Sequence, residues 1–233
     1  MEWVNWIIAN REIIKIFYGL IIGIICLTIV AVSHRLYHLS FYEGIRYFSN
    51  AFLFFGIAFL IRYIIGGIAA FGIIDISYAT IANILFEFFL LMAGFFLIYS
   101  LLWKKIEGSR ANLSSIFNMR ILIFYIMAVI ITILDYLWGF YYFMFIAMVF
   151  IFVFASIISY INYLRNGKKG RFLKFYFIAM ILALVAWLLN AVTAIFLNWE
   201  RSFLVWVYFI NIVIFLLFLY GIIKITKRPN KNK

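Results

Sequence analysis

The chain has 233 residues, of which 69% are hydrophobic and 12% are charged, and its mean hydropathy is +1.14. These values exclude a soluble globular domain, because such domains contain about half apolar and about a quarter charged residues. The net charge of +12 does not indicate nucleic-acid binding, because the cations are divided among four short segments without a binding fold.

Seven apolar stretches are long enough, or nearly so, to cross a membrane as helices, since a hydrocarbon core of about 30 Å requires about 20 residues. They are residues 13–32, 47–71, 78–103, 121–137, 140–164, 175–197 and 203–223. We therefore predict an all-α integral membrane protein, a bundle of seven transmembrane helices within residues 11–226. Residues 1–10 are predicted to form an outer interfacial segment, and residues 227–233 a basic cytoplasmic tail.

Positive charge alternates along the chain. Sixteen of the 20 Lys and Arg residues follow the first, third, fifth and seventh stretches. Because Lys and Arg in short connections are retained in the cytoplasm, the N-terminus is predicted outside and the C-terminus inside. The predicted location is the cytoplasmic membrane of a prokaryotic cell. Expected partners are the lipid bilayer, anionic lipid head groups at the cationic loops, and a separate protein at the same loops.

A weak internal repeat accompanies this topology. A shift of 125 residues aligns the first two stretches with the fifth and sixth, and it matches Arg46 with Arg171 and Phe52 with Phe177. Few identities support the alignment in a chain so rich in the same apolar residues. The sequence therefore permits a three-plus-one-plus-three arrangement of helices without establishing it.

The second and third stretches each contain one buried charge. Arg62 and Glu87 both lie nine residues inside the outer ends of their stretches, about 13 Å below the surface at 1.5 Å per residue. Because an intramembrane charge needs a partner or water, we predict that Arg62 and Glu87 form an ion pair. In an alternative, Gly66 and Gly67 end the second helix early, and Arg62 extends to the interface.

Other polar side chains are predicted at similar depth, whereas the inner half has almost none. Together they predict an outward-facing pocket for a ligand, an ion or a proton, formed by Arg62, Asn83, Glu87, Asp135, Trp187, Asn190 and Asn211. The alternative is purely structural. In that case Arg62 and Glu87 fasten two helices together, and Asn190 bonds to Asn211 between the sixth and seventh helices.

Two further patterns are weaker. His34 and His38 are four residues apart, but two imidazoles do not make a metal site, so we predict no metal and no cofactor. Gly19 and Gly23 form a small-residue spacing that favours close packing of a neighbouring helix within the bundle.

The helix count resembles that of microbial rhodopsins and of small sugar facilitators, but the characteristic residues of both families are missing. The seventh stretch contains Asn211 and no lysine before Lys224, which disfavours a retinal Schiff base. Seven-helix facilitators are characterised by prolines that hinge their repeats, whereas the single proline here is Pro229, in the tail.

These patterns favour a receptor-like or accessory protein that senses a ligand in its outer half and signals through a separate partner. One alternative is a small transporter or proton-coupled carrier that uses Glu87 and Arg62. Another is a structural subunit of a membrane complex. An enzyme is disfavoured, because acid–base catalysis needs convergent titratable groups and the stretches offer only Glu87 and Asp135.

Overall fold

A computed structural model of the chain describes residues 10–107, 119–139, 141–165, 171–195 and 201–226. Most of the predicted interfacial segment and all of the predicted basic tail lie outside these residues. The described part is helical and consists of α1 Arg11–Ser40, α2 Glu43–Ala70, α3 Ile76–Glu107, α4 Met119–Trp138, α5 Tyr142–Arg165, α6 Arg171–Ile195 and α7 Arg201–Thr226. Each helix is long and apolar enough to cross a membrane, which indicates a multi-pass membrane protein.

Several helices are longer than the apolar stretches that predicted them. The first stretch ends at residue 32, but α1 continues for two more turns to Ser40. It ends where Phe41 adopts a left-handed backbone conformation (φ 49°) and donates its N–H to the carbonyl of Tyr37. Apolar content marks the part of a helix that suits hydrocarbon, whereas the helix itself continues until its backbone bonding is interrupted.

Helix α2 continues through Gly66 and Gly67, so the predicted alternative of an early end at these glycines is wrong. A π-helical turn, Ile61–Ile65, separates two regular segments, Glu43–Leu60 and Gly66–Ala70. A π turn adds a residue to the helical repeat and so redirects the side chains that follow it. Arg62 lies within this turn.

The first two helices pack closely through their glycines. A Cβ atom added to Gly19 would lie 2.5 Å from Cβ of Tyr63, and one added to Gly23 would lie 2.6 Å from the side chain of Leu60. On the opposite helix, a Cβ added to Gly67 would lie 2.5 Å from Ile16. The small-residue spacing in α1 therefore serves packing against α2, as the sequence predicts.

Six helices form a closed ring, and α4 lies outside it. The order around the ring is α1, α2, α3, α5, α6 and α7, with α7 packed against α1, while α4 packs against α3 and α5. The outward face of α4 is apolar and exposed, as at Ile123, Ile130 and Leu137. Such a face suits contact with lipid. The three-plus-one-plus-three arrangement and the orientation of the termini remain predictions, and the bundle ends are named outer and inner after that orientation.

Candidate functional site

A cavity of about 420 Å³ lies within the helix ring. All six ring helices line it. It reaches the outer end of the bundle at Glu12 and Lys15 of α1, and it extends past the midpoints of α2 and α7 to Phe52 and Phe218. This volume suits a small organic molecule.

Five of the seven residues predicted to form an outer-half pocket line this cavity, namely Arg62, Asn83, Trp187, Asn190 and Asn211. Glu87 and Asp135 are not among its lining residues. Five of the predicted residues therefore face the cavity. The carboxyl groups of Glu87 and Asp135, which we call the carboxyl pair, do not line it.

Arg62 does not form the predicted ion pair with Glu87. Its guanidinium carbon lies 4.3 Å from the centroid of the Phe86 ring, a distance at which the ring attracts the cation. Within the described ranges, no carboxylate lies within 4 Å of the guanidinium. Phe86 and Glu87 are adjacent on α3 and therefore project about 100° apart. Phe86 shares the cavity-facing stripe with Asn83, and Glu87 is turned away from it.

Glu87 is buried, with only 4% of its surface exposed. Its Oε2 atom has no hydrogen-bond partner among the residues that the structure describes. Both Asp135 of α4 and Arg62 of α2 lie within electrostatic range of its carboxyl group. Glu87 therefore lies close enough to Arg62 to interact with it electrostatically, as the residue count predicts. Its side chain, however, is turned away from the cavity, toward Asp135 of α4.

Asp135 of α4 is hydrogen-bonded to the first turn of α5. Its Oδ1 accepts a hydrogen bond from the Phe143 N–H (2.9 Å), and its Oδ2 accepts one from the Met144 N–H (2.7 Å). The first N–H groups of a helix have no partner within the helix and carry partial positive charge, so a carboxylate at this position stabilises α5. This structural role accounts for Asp135 without a ligand.

Tyr141 connects the cavity with the carboxyl pair. It lies between α4 and α5, lines the cavity, and is within electrostatic reach of Arg62, Glu87 and Asp135. Burial raises the pKa of its hydroxyl above the ordinary value, the two carboxylates act in the same direction, and Arg62 opposes them. The hydroxyl therefore stays protonated at neutral pH and is able to donate a hydrogen bond to a molecule in the cavity.

The two asparagines of α6 and α7 do not bond to each other, contrary to the structural alternative. Asn211 donates its amide N–H to the hydroxyl of Tyr18 on α1 (3.0 Å), and Asn190 donates to the carbonyl of Ala186 in its own helix (3.0 Å). Each bond uses one amide N–H and does not involve the amide oxygen. Trp187 stacks against Phe152 of α5, and both residues line the cavity.

A cluster of three tyrosines beside the cavity was not predicted. The rings of Tyr18 and Tyr208 stack with centroids 4.4 Å apart, and Tyr63 contacts Tyr18 edge to face at 5.1 Å. The hydroxyl groups of Tyr63 and Tyr208 bond to each other. The available signal was their approximate depth, because the predicted stretches place Tyr18, Tyr63 and Tyr208 five to eight residues from their outer ends. The cluster joins α1, α2 and α7 at one depth.

The inner half contains more buried polarity than predicted. Ser33, Ser100 and Ser159 are buried near the inner ends of α1, α3 and α5. The Ser100 hydroxyl donates to the carbonyl of Leu97 in its own helix, whereas Oγ of Ser33 and Oγ of Ser159 have no hydrogen-bond partner among the described residues.

The two histidines form a pair at the inner end of α1. Their Nε2 atoms are 3.1 Å apart, which is a hydrogen-bond distance. No third residue able to bind a metal joins His34 and His38 in the described part of the chain. The two histidines are therefore hydrogen-bonded to each other.

Comparison with known proteins gives one similarity over nearly the full length. The chain is 29% identical over 227 residues to a protein of Archaeoglobus fulgidus described as uncharacterized, and the alignment covers 89% of this chain and 90% of the relative. No family model matches the sequence, and no solved structure matches it. What these findings support is a membrane protein of seven apolar helices with an archaeal relative of similar length.

Proposed function

We propose that this protein binds a small amphipathic molecule with an anionic group in the cavity inside its helix ring. The observation that carries the proposal is Arg62, which lines the cavity and has no carboxylate within ion-pair distance in the described ranges. A half-buried guanidinium that has no carboxylate within ion-pair distance among the described residues is a strong site for an anion. The other cation in the wall, Lys15, is already paired with Glu12 at 2.9 Å.

The remaining walls suit the two ends of such a molecule. Near Arg62 the wall offers hydrogen-bonding groups, namely the amides of Asn83, Asn190 and Asn211 and the hydroxyls of Tyr63, Tyr141 and Tyr208. Deeper in the cavity the wall consists of aromatic rings, among them Phe52, Phe55, Phe215 and Phe218. An anionic head near Arg62 and an apolar or aromatic body below it would satisfy both regions.

Two roles are compatible with this binding. A receptor-like role, in which occupancy is reported to a separate protein, is supported by the placement of the polar groups toward the predicted outer end. Transport is the second candidate, and it is favoured by a further cavity of about 510 Å³ between the same six helices near their inner ends.

Removal of the guanidinium in Arg62→Gln is expected to weaken binding of an aromatic anion about 10- to 100-fold. A hydrogen bond to a charged group contributes about 1.5 to 3 kcal/mol, and each 1.4 kcal/mol is about tenfold in Kd. Tritiated naphthalene-2-sulfonate, a permanently anionic aromatic probe, is measured by scintillation proximity on purified protein, with excess unlabelled probe to define saturable binding.

The matched control is Arg46→Gln. Arg46 is also on α2 and also lies over an aromatic ring, that of Tyr37, but it is paired with Glu43 and does not line the cavity. Its replacement is expected to leave the Kd unchanged. Equal Kd values for the two variants, or no saturable binding to the wild-type protein, would contradict the proposed site.

A further inference from the structure

A second cavity lies near the inner end of the helix ring. It has a volume of about 510 Å³ and reaches the α1–α2 connection at Tyr42 and Gly44. The same six helices that line the outer cavity line this one, and α4 contributes to neither. The inner cavity also has hydrogen-bonding groups in its wall, including the side chains of Ser40, Ser100 and Asn162.

The two cavities are separated by about one helical turn. On α2, Phe52 lines the outer cavity and Phe48 the inner one. On α3 the change occurs between Leu97 and Ser100. On α7 it occurs between Phe218 and Ile222. Three to four residues span about 4.5 to 6 Å of a helix, which is the thickness of a single layer of side chains.

Four aromatic side chains make up much of this layer, and we call them the aromatic partition: Phe48, Phe52, Tyr176 and Phe218. All four are buried. Their ring centroids are 4.7 Å apart for Phe48 and Phe52, 5.1 Å for Phe52 and Phe218, and 5.8 Å for Tyr176 and Phe218. They come from α2, α6 and α7, so small movements of these helices would change their contacts.

We propose that the two cavities are the outer and inner halves of one passage for amphipathic anions, closed in this structure by the aromatic partition. Rings in contact exclude water and ions, because a narrow apolar constriction is dewetted. The passage therefore conducts only when the rings separate, and a solute bound beside Arg62 has one layer of side chains left to cross. The choice of solute rests on the binding function proposed above, whereas the passage itself does not.

Opening the partition by mutation tests the passage. Proteoliposomes that contain the full chain are loaded with tritiated naphthalene-2-sulfonate, and its efflux is followed. The double variant Phe52→Ala with Phe218→Ala is expected to release the probe at least ten times faster than the wild-type protein. Phe95→Ala is the matched control, because Phe95 is equally buried but stacks on Phe124 of α4 and lines neither cavity. Equal efflux from the double variant and this control would overturn the proposal.

Cysteine labelling gives a second measurement that does not depend on the solute. Ser100→Cys, in a Cys26→Ala background, places a thiol in the wall of the inner cavity. The membrane-impermeant reagent 2-sulfonatoethyl methanethiosulfonate is expected to label it from the inner side only. Removal of the ring of Phe52 or Phe218, singly or together, is expected to permit labelling from the outer side as well. Unchanged one-sided labelling in these variants contradicts a continuous passage.

The two proposals fail separately. If Arg62→Gln binds the probe as tightly as wild-type protein while the partition variants become labelled from both sides, the passage holds and the anionic solute is wrong. If Arg62→Gln loses binding and the partition variants neither leak nor change their labelling, the cavity is a binding site without a passage.

Discussion

Asp135→Asn is expected to lower the apparent melting temperature of the purified protein by roughly 3 to 12 °C. The carboxylate accepts two backbone hydrogen bonds at the start of α5 from a position that is 2% exposed. Asparagine retains one acceptor and places an N–H donor against the second backbone N–H. The loss of a hydrogen bond to a charged group costs about 1.5 to 3 kcal/mol, and 1 kcal/mol corresponds to about 2 to 4 °C in a chain of this size.

Glu87→Gln is the matched control for Asp135→Asn. Glu87 is the neighbouring buried carboxyl group and is electrostatically coupled to Asp135, but its Oε2 has no hydrogen-bond partner among the described residues. Replacement by the amide, which has nearly the same size, is expected to leave the melting temperature nearly unchanged, because Oε2 makes no hydrogen bond that would be lost. Fluorescence-detected size-exclusion chromatography after heating measures both variants. A larger loss in Glu87→Gln than in Asp135→Asn would show that the capping role is assigned to the wrong carboxyl group.

Gly19→Val is expected to destabilise the protein by about 2 kcal/mol, because it overpacks the contact between α1 and α2. The new Cβ would lie 2.5 Å from Cβ of Tyr63, an atom that is held close to the backbone and cannot rotate away. The helices must therefore separate locally. Since Tyr63 lies next to Arg62 and bonds to Tyr208, we also expect weaker binding of naphthalene-2-sulfonate.

Gly66→Ala separates this steric effect from a general effect of replacing glycine. No atom lies within 4 Å of a Cβ added to Gly66, and its backbone conformation is helical (φ −61°). Alanine is favoured over glycine in a helix by about 0.5 to 1 kcal/mol, so this variant is expected to be slightly more stable than the wild type. Thermal unfolding in the same detergent compares the two variants. Similar destabilisation by both would contradict the close packing of α1 on α2 at Gly19.

One helix, α2, contributes residues to both the proposed ligand site and the proposed passage. Helix α2 supplies Arg62 to the outer cavity from a π-helical turn, and it supplies Phe48 and Phe52 to the aromatic partition from its regular segment. A π turn is an energetically less favourable element that proteins often retain at functional sites. A molecule bound at Arg62 therefore contacts the same helix that carries Phe48 and Phe52 of the aromatic partition. This connection would serve both a signal to a partner protein and a transport step.

The number of helices and the depth of the main polar residues were determined by the sequence alone. Long apolar stretches leave few alternatives in hydrocarbon, because the backbone must satisfy its own hydrogen bonds. Depth follows from counting residues along a helix of constant rise, and this count places Arg62, Asn190 and Asn211 at a common level.

The direction of each side chain was decided only by the tertiary structure. Helices that are apolar on all sides carry no periodic signal for the face that packs inward, so Phe86 rather than Glu87 contacts Arg62, and Asp135 caps α5 instead of lining a pocket. The exclusion of α4 from the ring, the tyrosine cluster and the aromatic partition have the same origin. Rotation of a helix about its axis is set by contacts with its neighbours, and those contacts are not written in the apolar pattern of one chain.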